Sequence, residues 1–208
     1  MNYKIIDNFL NNDDFNALCS LKLEKINPRK IRVYNNRIHN NGKIDRSCLD
    51  ENLLKKLHQN YHAIAINLLK ELNPKKIPLY EYSDFHIIET GSNYKYPIHR
   101  DTPRKLLSGV IYLMPKENKG TFIYDNNKGD NKTEIEWKQN RGFFFSRTEI
   151  TSYHSYEGNN KDNRIALIYN LMTNNLKGVC EVENINYYKV IIREFLNPYL
   201  YRFFKFVL

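Results

Sequence analysis

Cysteine is scarce: the 208 residues hold three, Cys19, Cys48 and Cys180, and they lie far apart. An odd, dispersed set builds neither a disulfide framework nor a CxxC metal site, so a reducing, cytoplasmic setting is expected. Long apolar runs are also missing. No stretch approaches the roughly 18 residues of a membrane span. The opening MNYKIIDNFLNNDD follows a short apolar patch with acids, unlike a signal peptide. A soluble chain is expected. No repeat, low-complexity tract or linker divides it, so the expectation is one domain over 1–208. Within it, 1–76 would supply a strand and supporting helices, 77–175 a strand-rich jelly-roll core, and 180–208 a helical tail.

Acidic residues are in deficit, with 23 Asp and Glu against 32 Lys and Arg and a formal net charge of +9. Such a surplus suits nucleic acid, an anionic membrane surface or an acidic substrate. The basic residues are scattered rather than blocked, which a generally basic solvated surface explains equally well. What the chain has in plenty is aromatic residues, 16 Tyr and 11 Phe. They favour strands and a large aromatic core.

The periodicity changes along the chain. NYKIIDNFL reads as a strand, and the cluster Asn11–Asp14 supplies an N-cap for a helix through Phe15, Leu18 and Leu21. Residues 26–50 read as a loop with one strand at Ile31–Tyr34. From about Asp50 to Leu72, Leu53, Leu54, Leu57, Tyr61, Ile64, Ala65, Leu68 and Leu69 recur at helical spacing until Asn73-Pro74 stops them. Beyond residue 77, LYEYSDFHIIET, KLLSGVIYLMP, GTFIYD, TEIEWK, GFFFS and NRIALIYNLM read as strands between Gly, Asn, Asp and Pro clusters. The expected fold is mainly β with flanking helices, a jelly roll or closed barrel buttressed by the N-terminal helices. In the tail, Tyr188, Ile191, Ile192, Phe195, Tyr199 and Phe203 can share a helical face, interleaved with Lys189, Arg193, Arg202 and Lys205, and Pro198 would kink or break it. Such a helix packs on its own domain, or meets a partner or a membrane surface.

YPIHRDTPRKLLSGVIYLMP sets His99 and Asp101 two residues apart before an apolar run. As a kinase catalytic loop, His-Arg-Asp requires an Asn five positions after the Asp. Leu106 stands there, with no GxGxxG ahead and no Asp-Phe-Gly behind, so that reading fails. A solvated polar turn fits the three residues alone. A metal reading needs more, because non-haem Fe(II) sites take two His and one carboxylate on one face of the ion. At a strand end, His99 and Asp101 share a side. His154, about 55 residues on in ITSYHSYEG, is the candidate third ligand, and about ten residues later Arg164 opens the almost uncharged strand NRIALIYNLM. A cation at the mouth of an apolar strand needs an anion or solvent.

This ordering resembles the 2-oxoglutarate/Fe(II)-dependent dioxygenases, in particular their prolyl-hydroxylase-like branch. ETGSNYKYPIHRD, SGVIYLMP, KGTFIYD and NRGFFFSRTEITSYH are similar to that branch's successive segments, over about residues 80–172, with a weaker echo in DNFLNNDDF. The resemblance implies a double-stranded β-helix with Fe(II) held by His99, Asp101 and His154. It implies that Arg164 grips the distal carboxylate of the cosubstrate 2-oxoglutarate, as a planar guanidinium can. Tyr112 matches a position where related enzymes set a hydroxyl on the same carboxylate, although a core aromatic fits as well. With O2, and ascorbate as an optional reductant, the implied reaction hydroxylates a C–H bond and decarboxylates 2-oxoglutarate to succinate and carbon dioxide. Arg100, Arg104 and His86 are candidate substrate contacts, with exposed or structural roles as the alternative. The nucleic-acid demethylases of the superfamily carry a second Arg six residues after the first. Asn170 stands there, so a peptide, protein or small-molecule substrate is preferred over nucleic acid. A non-catalytic jelly-roll binding module and a cupin-like dioxygenase without 2-oxoglutarate remain open. His58 and His62 lack the Glu of a zincin helix and are expected to face solvent; His39 carries no signal.

Overall fold

The structure is a computed structural model that describes residues 1–204. The last four residues of the expected tail, Lys205 among them, lie outside the described residues. Strand β1 (Tyr3–Ile6) leads into α1 (Asn12–Cys19). Asn11 caps α1 by accepting from the Asp14 amide at 2.9 Å. Next come β2 (Ile31–Tyr34), β3 (Arg37–His39), β4 (Ile44–Arg46) and α2 (Glu51–Leu72). Asp50 caps α2, and Asn73 ends it before a 3-10 turn over Pro74–Leu79. Two short strands thus occupy the region expected to be mostly loop. Their residues lack the strand period, and pairing supplies the backbone partners: β3 with β5 (Tyr82–Thr90), β4 with β3.

The rest alternates as the sequence suggests, with two further strands and one further helix. β6 (Lys95–His99), β7 (Lys105–Met114), β8 (Thr121–Tyr124), β9 (Thr133–Ile135), β10 (Gly142–Phe145), β11 (Tyr153–Glu157) and β12 (Arg164–Met172) precede α3 (Leu176–Glu183) and α4 (Tyr187–Phe204). All pairings are antiparallel. One sheet runs β1-β10-β7-β12-β5-β3-β4, with β2 also on β5; the other runs β6-β11-β8-β9. The result is a mixed α+β fold, two antiparallel sheets with flanking helices in a jelly-roll-like arrangement. The described strands do not close into a barrel.

The larger sheet separates two environments because its strands alternate. From β12, Leu167, Tyr169 and Leu171 point into the main core, as do Leu107, Ile111 and Leu113 of β7 and Phe144 of β10. There they meet Leu54, Leu57, Ala65, Leu68 and Leu69 of α2, all buried. Each buried leucine of this set contributes about 1.5–3 kcal/mol. Asp14 ties α1 to α2: its carboxylate accepts from Asn60 and Tyr61, each at 2.8 Å, and pairs with Lys56 at 2.8 Å. The opposite face of the sheet looks across to the smaller sheet, and the pocket lies between.

Two expectations need correction. His58 is buried and His62 half-buried, their rings stacked 4.7 Å apart beside Phe85 and Tyr80, because the buried arc of α2 is wider than its aliphatic stripe. Pro198 does not break α4, which continues through it.

Candidate metal centre

His99 closes β6, and its Cα partner across the smaller sheet is His154 of β11. Directly opposite residues in a ladder present their side chains on one face, so pairing brings the two imidazoles to ring centroids 4.2 Å apart. Asp101 follows two residues after His99. One donor atom from each of the three lies within 4.8 Å of the others.

The surroundings fix the donors. His99 Nδ1 lies 3.0 Å from the Pro97 carbonyl, and His154 Nδ1 lies 3.0 Å from that of Ser152. A carbonyl only accepts, so Nδ1 carries the proton in both rings and Nε2 keeps its lone pair for a cation. Asp101 Oδ1 sits 2.7 Å from Lys105 Nζ, and Oδ2 accepts from Ser108 Oγ at 2.6 Å. Burial, reinforced by His154, holds the His99 imidazole down to about 3. His154 is lowered for the same first reason, burial, which outweighs the opposing pull of Asp101. Burial would raise the Asp101 carboxyl, but Lys105 and the two histidines prevail and hold it below the usual carboxylate range. Two neutral imidazoles and a carboxylate result, the donor set of a 2-His-1-carboxylate site with no ligand proton left to displace. The residues therefore fit a divalent transition metal.

The triad opens into a cavity of about 830 Å³. Alternate residues of β12, Arg164, Ala166, Ile168 and Asn170, line its wall, as the period of two requires. Arg164 is 6% exposed. Its guanidinium lies 4.0 Å over the Tyr156 ring and 5.3 Å from that of Tyr112. Among the described residues its one hydrogen bond runs from Nη2 to Thr121 Oγ1 at 3.4 Å, and Nε is buried without a partner. Among the described residues, no carboxylate pairs with it. Burial lowers its pKa from the ordinary guanidinium value, yet an arginine stays protonated in proteins. A buried cation in this state is a receptor for an anion.

The other candidate residues have neutral or structural neighbours. Tyr112 is fully buried and stacked on Trp137. Its hydroxyl donates towards Thr121 Oγ1 at 3.0 Å or the Ile135 carbonyl at 3.2 Å, and accepts from the Thr121 amide at 2.9 Å. Arg100 lines the pocket and pairs with Glu149 at 3.1 Å; Arg104 also lines it and pairs with Glu194 at 3.3 Å. His86 stands on the pocket side of β5 but outside the cavity wall. Its Nδ1 accepts from the Asn36 amide at 3.3 Å, and Nε2 lies 3.4 Å from Asp84.

Several contributors had no signal in the sequence. Thr121 holds Arg164 and Tyr112 together, and Ser108 and Lys105 hold Asp101; only the four-residue spacing of Asp101 and Lys105 hinted at a pair. Glu149 accepts from Arg193 at 2.5 Å and also takes Arg100 and Arg147. Arg147, fully buried, also pairs with Glu183, which Lys76 meets at 2.6 Å. This network joins the approach to His154 with both C-terminal helices. α4 itself roofs the pocket with Arg193, Glu194, Asn197, Pro198 and Tyr201. Glu194 accepts from Thr102 at 2.6 Å, and the Tyr94 and Tyr201 hydroxyls are bonded.

Neither a family model nor a curated protein matches the chain by sequence. Solved structures match it in fold. A Pseudomonas putida prolyl-4-hydroxylase superposes with a TM-score of 0.51 at 16% identity, covering 82% of this chain and 92% of that one. A Trichoplax adhaerens prolyl hydroxylase, in complex with a hypoxia inducible factor peptide fragment, gives 0.56 at 14% identity, with 86% of each chain covered. A Burkholderia pseudomallei oxidoreductase of the 2OG-Fe(II) oxygenase family gives 0.55 at 13% identity, covering 82% and 84%. The chain therefore has the fold of the prolyl-hydroxylase-like 2-oxoglutarate/Fe(II) oxygenases and carries a 2-His-1-carboxylate triad in its pocket.

Proposed function

We propose that this chain is an Fe(II)- and 2-oxoglutarate-dependent dioxygenase that hydroxylates an unactivated C–H bond of a peptide or protein side chain, such as prolyl, or of a small molecule. The observation that carries the reading is Arg164, a buried cation without a carboxylate partner among the described residues, on the wall of the cavity that holds the triad. A metal-binding module needs the triad alone, and a cupin-like oxygenase without 2-oxoglutarate has no use for the arginine. A dicarboxylic keto acid uses both.

His99, Asp101 and His154 would hold the iron, with Lys105 and Ser108 fixing the carboxylate. Iron with 2-oxoglutarate and O2 supplies the oxidising power, with succinate and carbon dioxide as coproducts and ascorbate as an optional reductant. The chain's own part is positioning and exclusion of water. Arg164 receives the distal carboxylate as two parallel N–H donations, and Thr121 steadies the guanidinium. Tyr112 acts here through its ring beside Arg164 and its hydroxyl on Thr121. The apolar residues Val110, Phe145, Ala166 and Ile168 form part of the cavity wall. Arg100 and Arg104, which line the cavity, are the candidate contacts for substrate; His86 lies outside that lining. In this reading residues 1–208 form one oxygenase domain with a double-stranded β-helix core, and the unpaired cysteines suit the cytoplasm. The peptide in the Trichoplax complex favours a protein side chain as substrate.

Anaerobic addition of Fe(II) and then 2-oxoglutarate tests the proposal. A weak visible charge-transfer band is expected when both are present. Folded protein that shows no band would point instead to a binding module.

A further inference from the structure

A helix at the edge of a domain ordinarily buries its apolar stripe and leaves its polar face to water. α4 does the reverse. Its inward side carries Arg193, Glu194, Asn197 and Tyr201, which roof the pocket; Arg193 is tied to Glu149, Glu194 to Arg104 and Thr102, and Tyr201 to Tyr94. Val190 is its one buried apolar residue among those described. Its outward side carries Tyr188, Ile192, Phe195, Tyr199 and Phe203, spaced by three or four residues and therefore on one face. Tyr188 is 74% exposed, Phe195 66% and Phe203 67%. A continuous apolar stripe of this kind marks an interaction surface.

We infer that this outward face of α4 docks the chain in the plane of an anionic lipid bilayer. Charge selects the occupant. The exposed charges on α4 are Lys189 and Arg202, one towards each end, and both are cations. Its one acid, Glu194, is turned inward to Arg104 and Thr102. A second copy would bring like charges together in either orientation, Lys189 on Lys189 or Lys189 on Arg202. Anionic headgroups satisfy both cations while the stripe enters the boundary between headgroups and acyl chains. Tyr and Phe are suited to that depth. The net charge of +9 adds long-range attraction. No helix among the described residues is long and apolar enough to cross a membrane, so α4 lies on the surface. The inference stands apart from the metal reading, although a docked α4 sets the roof of the pocket against the headgroup layer.

The test is sedimentation of the full chain with vesicles of phosphatidylcholine alone and of phosphatidylcholine mixed with phosphatidylglycerol. Binding to the mixed vesicles, weakened by added salt, is expected. Ile192→Asp with Phe195→Asp should lower it by about tenfold or more. The melting temperature should hold, because both side chains are exposed. Lys189→Gln with Arg202→Gln should lower binding to the mixed vesicles several-fold and leave the weak binding to neutral ones unchanged. Equal binding to both vesicle types, or full binding by the Asp variant, overturns the inference. So does a dimer in size-exclusion chromatography that the Asp variant dissolves, which assigns the face to a second copy.

Discussion

Replacing Arg164 with methionine separates the two things its charge does. In the free protein the guanidinium is buried, with a single 3.4 Å hydrogen bond, and its Nε has no partner. Desolvation is then offset only by the Tyr156 ring at 4.0 Å and the more distant Tyr112 and Trp137 rings. An apolar side chain of similar length removes that cost, so Arg164→Met should fold with equal or greater stability, as replacement of buried charges often does. Binding should move the other way. A two-point charge-assisted contact with a carboxylate is worth about 2–3 kcal/mol net, or about 30- to 150-fold in affinity for 2-oxoglutarate. Arg164→Lys keeps the charge but loses the planar fork, and should fall between. The single tryptophan reports on the site: Trp137 lies 5.5 Å from the guanidinium, so its fluorescence should change as an anion arrives. The assay is fluorescence titration of the anaerobic Fe(II)-loaded protein with 2-oxoglutarate, alongside thermal melting of the free protein. An Arg164→Met protein that binds 2-oxoglutarate normally refutes the assignment. One that melts much lower shows that the charge is structural.

His99→Ala and His154→Ala should each abolish 2-oxoglutarate turnover, and a His154→Ala protein with normal turnover would sink the ligand assignment. Acid should destabilise the fold through His58, whose Nε2 is buried without a partner. Burial first, and His62 second, hold His58 down to about 4 against an ordinary 6.5. Between those values the unfolded chain takes up a proton that the folded chain refuses, so stability falls as pH falls through the window. The loss is on the order of 3 kcal/mol by pH 4. Urea melts of His58→Gln should show a correspondingly flatter acid limb, and parallel curves would exclude His58 as the cause. Gly120→Ala should cost about 2 kcal/mol or more, because its Cβ would lie 1.7 Å from the Ile135 carbonyl oxygen across the β8–β9 hairpin. It should also weaken 2-oxoglutarate binding, since displacing Gly120 moves Thr121. An unchanged melting temperature would contradict this.

Much of the fold was legible because its signals are local. The alternation in KLLSGVIYLMP and NRIALIYNLM marks strands whose two faces meet different environments, and β7 and β12 have those two faces. The cap cluster Asn11–Asp14, the helix start near Asp50 and the stop at Asn73-Pro74 act within a few residues of the helices they bound. β3, β4, β6 and β11 carry little local signal: all are short, β3, β6 and β11 are stabilised by neighbours distant in sequence, and β4 holds only to β3. The burial of His58 and His62 is hidden from the sequence because an i, i+4 pair of histidines looks polar on a helical wheel. The width of the buried arc depends on Phe85 and Tyr80, which arrive from later in the chain.

The sequence by itself determined the identities at the centre: two imidazoles, one carboxylate and one guanidinium, in an order and strand context that already implied a metal and an anion. Only the tertiary structure decided that His99 and His154 are ladder partners, since register is a pairing property and no single strand contains it. It also decided that Tyr112 turns its hydroxyl to Thr121. The tail is a further case. Its helical period was plain, but a period shows that a stripe exists and not which way it points. Arg193, Glu194 and Tyr201 turn the polar side of α4 inward because Glu149, Arg104 and Tyr94 wait at the pocket rim. The apolar stripe is left facing out.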